Sequence, residues 1–160
     1  MYEFKITNIK LSVKTTFVRL DTVKTHLQNK KNSVKSYPNF LVIKNKFTYV
    51  YFKSKDQKIN HLNITNVNSF KNIDSSINHI LKKLPKKSKV KEIYRSIDNI
   101  TASLNLNRKV CLQEALKHFI NVCEISYNSE KFPGAFLKFE KGTIILFHTG
   151  KCIFIGCKRL

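Results

Sequence analysis

The chain repeats itself, and that limits its folds more than any other feature. Tyr37-Pro38 through Phe52 aligns without a gap on Phe132-Pro133 through Phe147, setting Pro38 on Pro133, Lys46 on Lys141, Thr48 on Thr143 and Phe52 on Phe147. Upstream of each block, Lys5-Ile6-Thr7-Asn8-Ile9 is answered by Ser96-Ile97-Asp98-Asn99-Ile100. Leu20, His26 and Leu27 are answered by Leu112, His118 and Phe119. A tandem duplication requires the same unit twice, so the chain divides into a first repeat at 1–84, a linker at 85–91 (PKKSKVK) and a second repeat at 92–160.

Each repeat reads as a strand, a helix, a meander of strands and, in the first repeat alone, a long helix. Phe4–Val13 alternates apolar and polar residues, which predicts a strand. Thr15 or Thr16 then caps a helix over Thr16–Gln28, because Phe17, Leu20, Val23 and Leu27 recur at helical spacing. Asn29–Ser36 reads as a polar loop. Phe40–Lys44, Thr48–Lys53 and Lys58–Thr65 follow as strands, with about two extra residues at Lys53–Gln57 relative to the second repeat. The stripe Phe70, Ile73, Ile77, Ile80, Leu81 and Leu84 predicts a helix over Asn68–Leu84, stopped by Pro85. In the second repeat the helix falls over Lys109–Val122. Ser126–Lys158 then gives a short strand to Tyr127, a polar loop, and three strands joined at Glu140-Lys141-Gly142 and His148-Thr149-Gly150. No counterpart of the long helix follows Cys157-Lys158-Arg159-Leu160.

Charge decides which partners to expect. A formal charge of +20 on 160 residues repels itself unless a polyanion faces it, with nucleic acid ahead of an acidic membrane. Nearly all the basic residues are lysine, which favours backbone attraction over the forked contacts of arginine. Lysine and asparagine enrichment from an AT-rich genome explains the same composition equally well. No signal peptide and no apolar run of about 20 residues is evident, so a soluble chain that is not secreted and does not engage a membrane is expected. Cys111, Cys123, Cys152 and Cys157 include no CxxC pair. Cys152 and Cys157, five apart on one strand, are expected on opposite faces, so buried reduced thiols are expected rather than a metal site. Ten scattered carboxylates, five histidines without ligand spacing and no phosphate-cradling glycine loop argue against an enzyme and give no reason to expect a cofactor.

The motifs of the second repeat resemble one family. Tyr127-Asn128 followed by Phe132-Pro133-Gly134 looks like the stirrup of the TATA-box-binding protein family. Phe147-His148-Thr149-Gly150-Lys151 followed by Gly156-Cys157-Lys158 is similar to that family's phenylalanine, Ser/Thr-Gly-Lys and Thr-Gly-Ala-Lys signatures. The resemblance implies an α+β fold of two tandem repeats, a curved, saddle-like antiparallel sheet with helices on its convex side. It implies a transcription initiation factor that binds and bends the minor groove of A/T-rich double-stranded promoter DNA and recruits the transcription machinery. Wedge positions fall on Tyr37 and Phe52 in the first repeat and on Phe132 and Phe147 in the second. The central asparagines fall on Asn8 and Asn99, and phosphate-holding lysines on Lys138, Lys151 and Lys158. Nuclear location follows from the resemblance, or a cytoplasmic factory if the source is viral.

Physical reasons run alongside. The minor groove shows mostly acceptors on A·T pairs, to which an asparagine amide donates. Ile145, Phe147, Ile153 and Ile155 share a face by alternation and, with Phe132, form an apolar floor for a widened groove. The family's DNA-facing threonine falls on Leu62 and Ile155 and its glycine on Asn63 and Gly156, substitutions that favour shape-led over strict TATA recognition. The alternative is a protein-interaction module in a transcription complex that no longer binds duplex DNA. With only the shorter helix to cover Ile144, Leu146, Cys152 and Phe154, an apolar patch is expected near the C-terminus, where a partner protein or a second copy docks over Cys152 and Phe154. By resemblance, a transcription factor or polymerase subunit grips the adjacent stirrup at Asn128, Ser129, Glu130 and Lys131, with Glu130 as the acidic contact.

Overall fold

The computed structural model describes residues 3–28 and 33–159. Its described strands are β1 (Glu3–Thr16), β2 (Ser33–Ser36), β3 (Phe40–Lys44), β4 (Thr48–Phe52), β5 (Ile59–Val67), β6 (Glu92–Asn105), β7 (Glu124–Ser126), β8 (Gly134–Phe139), β9 (Gly142–Phe147) and β10 (Lys151–Cys157). The described α-helices are α1 (Leu20–Gln28), α2 (Asn72–Lys83) and α3 (Leu112–Lys117). The fold class is α+β, with antiparallel pairing between β1 and β5, along β2-β3-β4-β5 and along β6-β10-β9-β8-β7. Two compact units result, Ile9–Asp98 and Met1–Asn8 with Asn99–Leu160, and the long strands β1 and β6 pass through both.

In the first unit, Ile9–Asp98, the strand order is β2-β3-β4-β5-β1 with the first part of β6 beside β1. Alternation sends Leu11, Val13, Leu41, Ile43, Tyr49, Tyr51, Leu62 and Ile64 to one face, each at most 1% exposed. Phe40, Val42, Val50, Phe52 and Asn63 take the other face and stay half-buried. Val23 and Leu27 of α1 and Ile77 and Ile80 of α2 are buried in the same core, each such side chain contributing about 1.5–3 kcal/mol. Two tyrosine hydroxyls in that core are satisfied: Tyr49 donates to the Ser76 carbonyl at 3.0 Å, and Tyr51 shares a 3.0 Å hydrogen bond with Thr15.

In the second unit the order is β6-β10-β9-β8-β7. Its core is Leu112 and Leu116 of α3 with Ala135, Leu137, Leu146 and Cys152, while Leu104, Phe119, Ile144 and Phe154 are partly buried around it. Gly150 closes the turn after β9 at φ 84°, donating to the Phe147 carbonyl at 2.9 Å, and a Cβ there would lie 2.0 Å from the Arg108 carbonyl oxygen.

Several expectations from sequence are corrected. The first helix starts at Leu20, since Thr15 and Thr16 remain in β1 and the turn before the helix is held by the buried Asn60, whose Oδ1 accepts from the Val18 amide at 2.8 Å. Residues 33–36, read as loop, form β2 against β3; the rest of that segment, 29–32, lies outside the described residues. The second-repeat helix is short, Leu112–Lys117, and continues only as turns to Cys123. Cys111 is exposed, so the thiols are not uniformly buried. The register places Cys157 opposite Ile100 after an irregularity that follows Phe154, returning it to the face of Cys152.

Candidate nucleic-acid interface

Each unit has one sheet face without a described helix, and the sequence-predicted residues gather there. In the second unit the register row Phe136–Ile145–Ile153–Ser103 crosses β8, β9, β10 and β6, and Lys138–Thr143–Ile155 forms a second row. Phe147 pairs with Gly134. The Phe132 ring, 38% exposed, lies 5.8 Å from Phe147 and 5.2 Å from Phe136. Gly134 makes that approach possible: an added Cβ would stand 2.9 Å from both the Phe132 ring and Ile145 and 3.0 Å from Phe147. Ile145, Phe147, Ile153 and Ile155 are half-buried, an apolar floor to which Phe136 belongs although the sequence reading omitted it. Its signal was available in the alternation of Phe136 with Leu137.

The first unit is built differently at the same place. Phe40 pairs with Phe52 where Gly134 pairs with Phe147, and the Tyr37 ring stacks on Phe40 at 4.6 Å while Phe40 lies 6.0 Å from Phe52. Phe40 is therefore interposed between the two expected wedges. The register shows why: Lys44 pairs with Thr48 across three intervening residues, whereas Lys138 pairs with Thr143 across four, so the gapless alignment slips by one before this turn. Tyr37 is 44% exposed, and Phe52 lines a hollow of about 830 Å³ with Asn39, Lys53, Lys55 and His61.

A second slip is larger. Tyr49 pairs with Ile64 as Ile144 pairs with Phe154, and Ile9 pairs with Val67 as Ile100 pairs with Cys157. The counterpart of Ile155-Gly156 is thus Thr65-Asn66, not Leu62-Asn63. Leu62 is fully buried in the core, and the open-face threonine is retained as Thr65. Both strands bulge here, with φ 65° at Asn66 and 77° at Gly156, and asparagine tolerates the left-handed backbone that glycine occupies in the other copy. The insertion at Lys53–Lys58 is correspondingly longer than the two residues expected.

Asn99 is positioned by the second bulge. Its Oδ1 accepts the Gly156 amide at 2.8 Å, which fixes the side-chain amide so that Nδ2, 3.4 Å from the Thr101 hydroxyl, is the group left to donate outward. Asn8 is half-buried on β1. Lys151 and Lys158 are exposed, and Lys138 bonds Glu124 at 3.0 Å in an exposed ion pair of small worth. Asn128 organises the loop before Phe132: its Oδ1 accepts from the Glu130 and Lys131 amides at 3.0 and 3.3 Å, leaving Ser129, Glu130 and Lys131 exposed. Of the expected docking patch, Cys152 is buried within its own unit's core, and Phe154 is half-buried, its ring edge-on to Phe4 at 5.8 Å.

One charged residue was missed. Asp98 turns to the open side of the first unit, accepting from Ser12 at 2.5 Å and Ser96 at 3.3 Å, with Lys10 at 3.7 Å.

Residues 95–160 match the family model described as Transcription factor TFIID (or TATA-binding protein, TBP). The solved structure of Methanococcus jannaschii TBP superposes with a TM-score of 0.77 at 24% identity, covering 98% of this chain and 89% of that one. Among curated protein sequences there is no match.

Proposed function

We propose that this chain, whose second repeat matches the TBP family model over residues 95–160 and whose fold matches that of Methanococcus jannaschii TBP, is a divergent TBP-family protein and a transcription initiation factor that binds and bends A/T-rich duplex DNA through the minor groove. The observation that carries the proposal is the open face of the second unit, where Phe132 and Phe147 pack over a floor of Phe136, Ile145, Ile153 and Ile155 with no described helix above it. Half-exposed aromatic and branched side chains on an otherwise lysine-rich protein suit a groove that is pried open and dehydrated. Asn99, its amide oxygen already occupied, presents a donor to the adenine N3 and thymine O2 acceptors. Tyr37, Phe52 and Asn8 are proposed to act for the first repeat (1–84) as Phe132, Phe147 and Asn99 do for the second (92–160). Lys138, Lys151 and Lys158 hold phosphates, and Asn128–Lys131 is offered to a transcription factor or polymerase subunit in the nucleus.

Asp98 favours the second reading, a protein-interaction module, because a carboxylate on this side repels groove acceptors and phosphates alike. Fluorescence transfer across a doubly labelled A/T-rich duplex tests the proposal. The wild-type chain should bring the ends together, and Phe132→Ala with Phe147→Ala should lose both the bend and about tenfold or more in affinity, since each unstacked step costs a few kcal/mol that the rings no longer recover. An unbent duplex with the wild-type protein would assign the face to a protein partner instead.

A further inference from the structure

The open face of the first unit carries a polar island whose counterpart in the second unit is neutral and partly apolar. Tyr49 pairs with Ile64 as Ile144 pairs with Phe154, so Asn63 stands where Ile153 stands in the second unit. Counting back from Ile9 and Ile100, Asp98 stands where Thr7 stands, and Thr7 donates its hydroxyl proton to the Thr101 carbonyl at 3.0 Å. Ser12, paired with Asn63 across β1 and β5, has one hydroxyl proton and two acceptors within reach, Asp98 Oδ2 at 2.5 Å and Asn63 Oδ1 at 3.2 Å. The shorter, charge-assisted bond takes it. The other donors facing Asp98 are the Ser96 hydroxyl at 3.3 Å and the Lys10 ammonium at 3.7 Å. A carboxylate and an amide oxygen together offer about six acceptor sites, so the island holds more acceptors than donors. The Asp98 side chain is 32% exposed, which leaves it open to a ligand on this face.

We propose that Asp98, supported by Asn63, is a specificity-determining residue that accepts a hydrogen bond from the N2 amino group of a guanine, so that the preferred duplex carries one G·C pair within its A/T-rich site. This rests on the minor-groove reading of the open face. Adenine N3 and thymine O2 only accept there, and the guanine N2 amino group is the base-edge donor. Surplus acceptors are therefore matched by a G·C pair and mismatched by an A·T pair at that step. Lys10 beside the carboxylate offsets its repulsion of the flanking phosphates. Since Thr7 and Ile153 hold the corresponding positions, the second repeat lacks this acceptor pair, and the guanine belongs to the half of the site that the first repeat reads.

The test is competition fluorescence anisotropy with the full chain and a duplex whose core is all A·T. Each pair of the core is replaced in turn by G·C or by inosine·cytosine, which differs from G·C only in lacking the N2 amino group. At the favoured position G·C should bind about tenfold more tightly than inosine·cytosine. Asp98→Thr, which installs the residue of the other repeat, should bring that ratio to about one while affinity for the all-A·T duplex is kept or rises, which also shows the variant to be folded. Equal binding of G·C and inosine·cytosine at every position overturns the proposal and leaves the minor-groove reading intact through the all-A·T duplex. A G·C preference that survives Asp98→Thr overturns it as well. Failure of the wild-type chain to bind any of these duplexes overturns both.

Discussion

Among single residues, Asp98 and Asn99 carry the sharpest expectations, because neighbours in sequence present opposite chemistry. The Gly156 amide holds the Asn99 Oδ1 on its own side, which turns Nδ2 outward as the donor. Asn99→Asp places an acceptor there and should cost affinity for A·T pairs, where the groove shows acceptors, by about 1–3 kcal/mol, read as a drop in A/T over G/C preference in competition binding. Asp98 is held by Ser12, Ser96 and Lys10. Asp98→Asn removes a repulsive charge and releases Lys10, so duplex affinity should rise, and the slope of log K against log salt should steepen by about 0.9 if Lys10 then reaches a phosphate. Unchanged affinity and slope would remove Asp98 from the interface. The sequence made Asn99 visible through its repetition at Asn8. Asp98 stayed hidden, because Thr7 occupies its place in the first copy and alternation alone would have sent Asp98 to the core side, next to the buried Ile100.

At the scale of elements, the succession of strands and helices was largely legible because repeated side chains mark it, while registers were not. A bulge is a backbone event with no dedicated residue: Gly156 announces one, Asn66 does not, and the alignment therefore slid to Leu62-Asn63. Phe40, standing opposite Phe52 where glycine stands opposite Phe147, was missed because the turn after β3 is one residue shorter than the turn after β8. The helix boundaries failed where tertiary bonds overrode propensity, as when Thr15 spent its hydroxyl on Tyr51 instead of a cap. That buried pair has a testable consequence. Burial pushes the Tyr51 phenol up to about 12, with its Thr15 hydrogen bond opposing, and burial also raises Tyr49 well above its usual range. A group that releases its proton later when folded than when unfolded stabilises the fold fully below the unfolded value near 10 and loses that contribution as pH climbs through the folded one. Chemical denaturation should find stability level to about pH 9.5 and falling by on the order of 2 kcal/mol between pH 10 and 12. Tyr51→Phe should reduce that fall; an identical alkaline limb in the variant would mean another group controls it.

For the whole molecule the governing quantity is the charge of +20, which predicts attraction to any polyanion but no sequence preference. Selectivity must come from the open faces, which hold little to read beyond the degenerate minor-groove pattern: asparagine donors, apolar floors, and Thr65 in one copy against Ile155 in the other. The loss of one open-face hydroxyl at Ile155, with Thr65 kept, predicts asymmetric recognition. Selection from a random duplex pool at about 150 mM salt should yield A/T-rich sites more strictly defined in the half that the first repeat reads, and flexible pyrimidine–purine steps where the Phe132 and Phe147 pair inserts. Ile155→Thr should restore discrimination in the other half without altering the salt slope, since no charge changes. Pools that remain random, with binding that vanishes as salt rises, would leave only the electrostatic attraction and transfer the open faces to a protein partner.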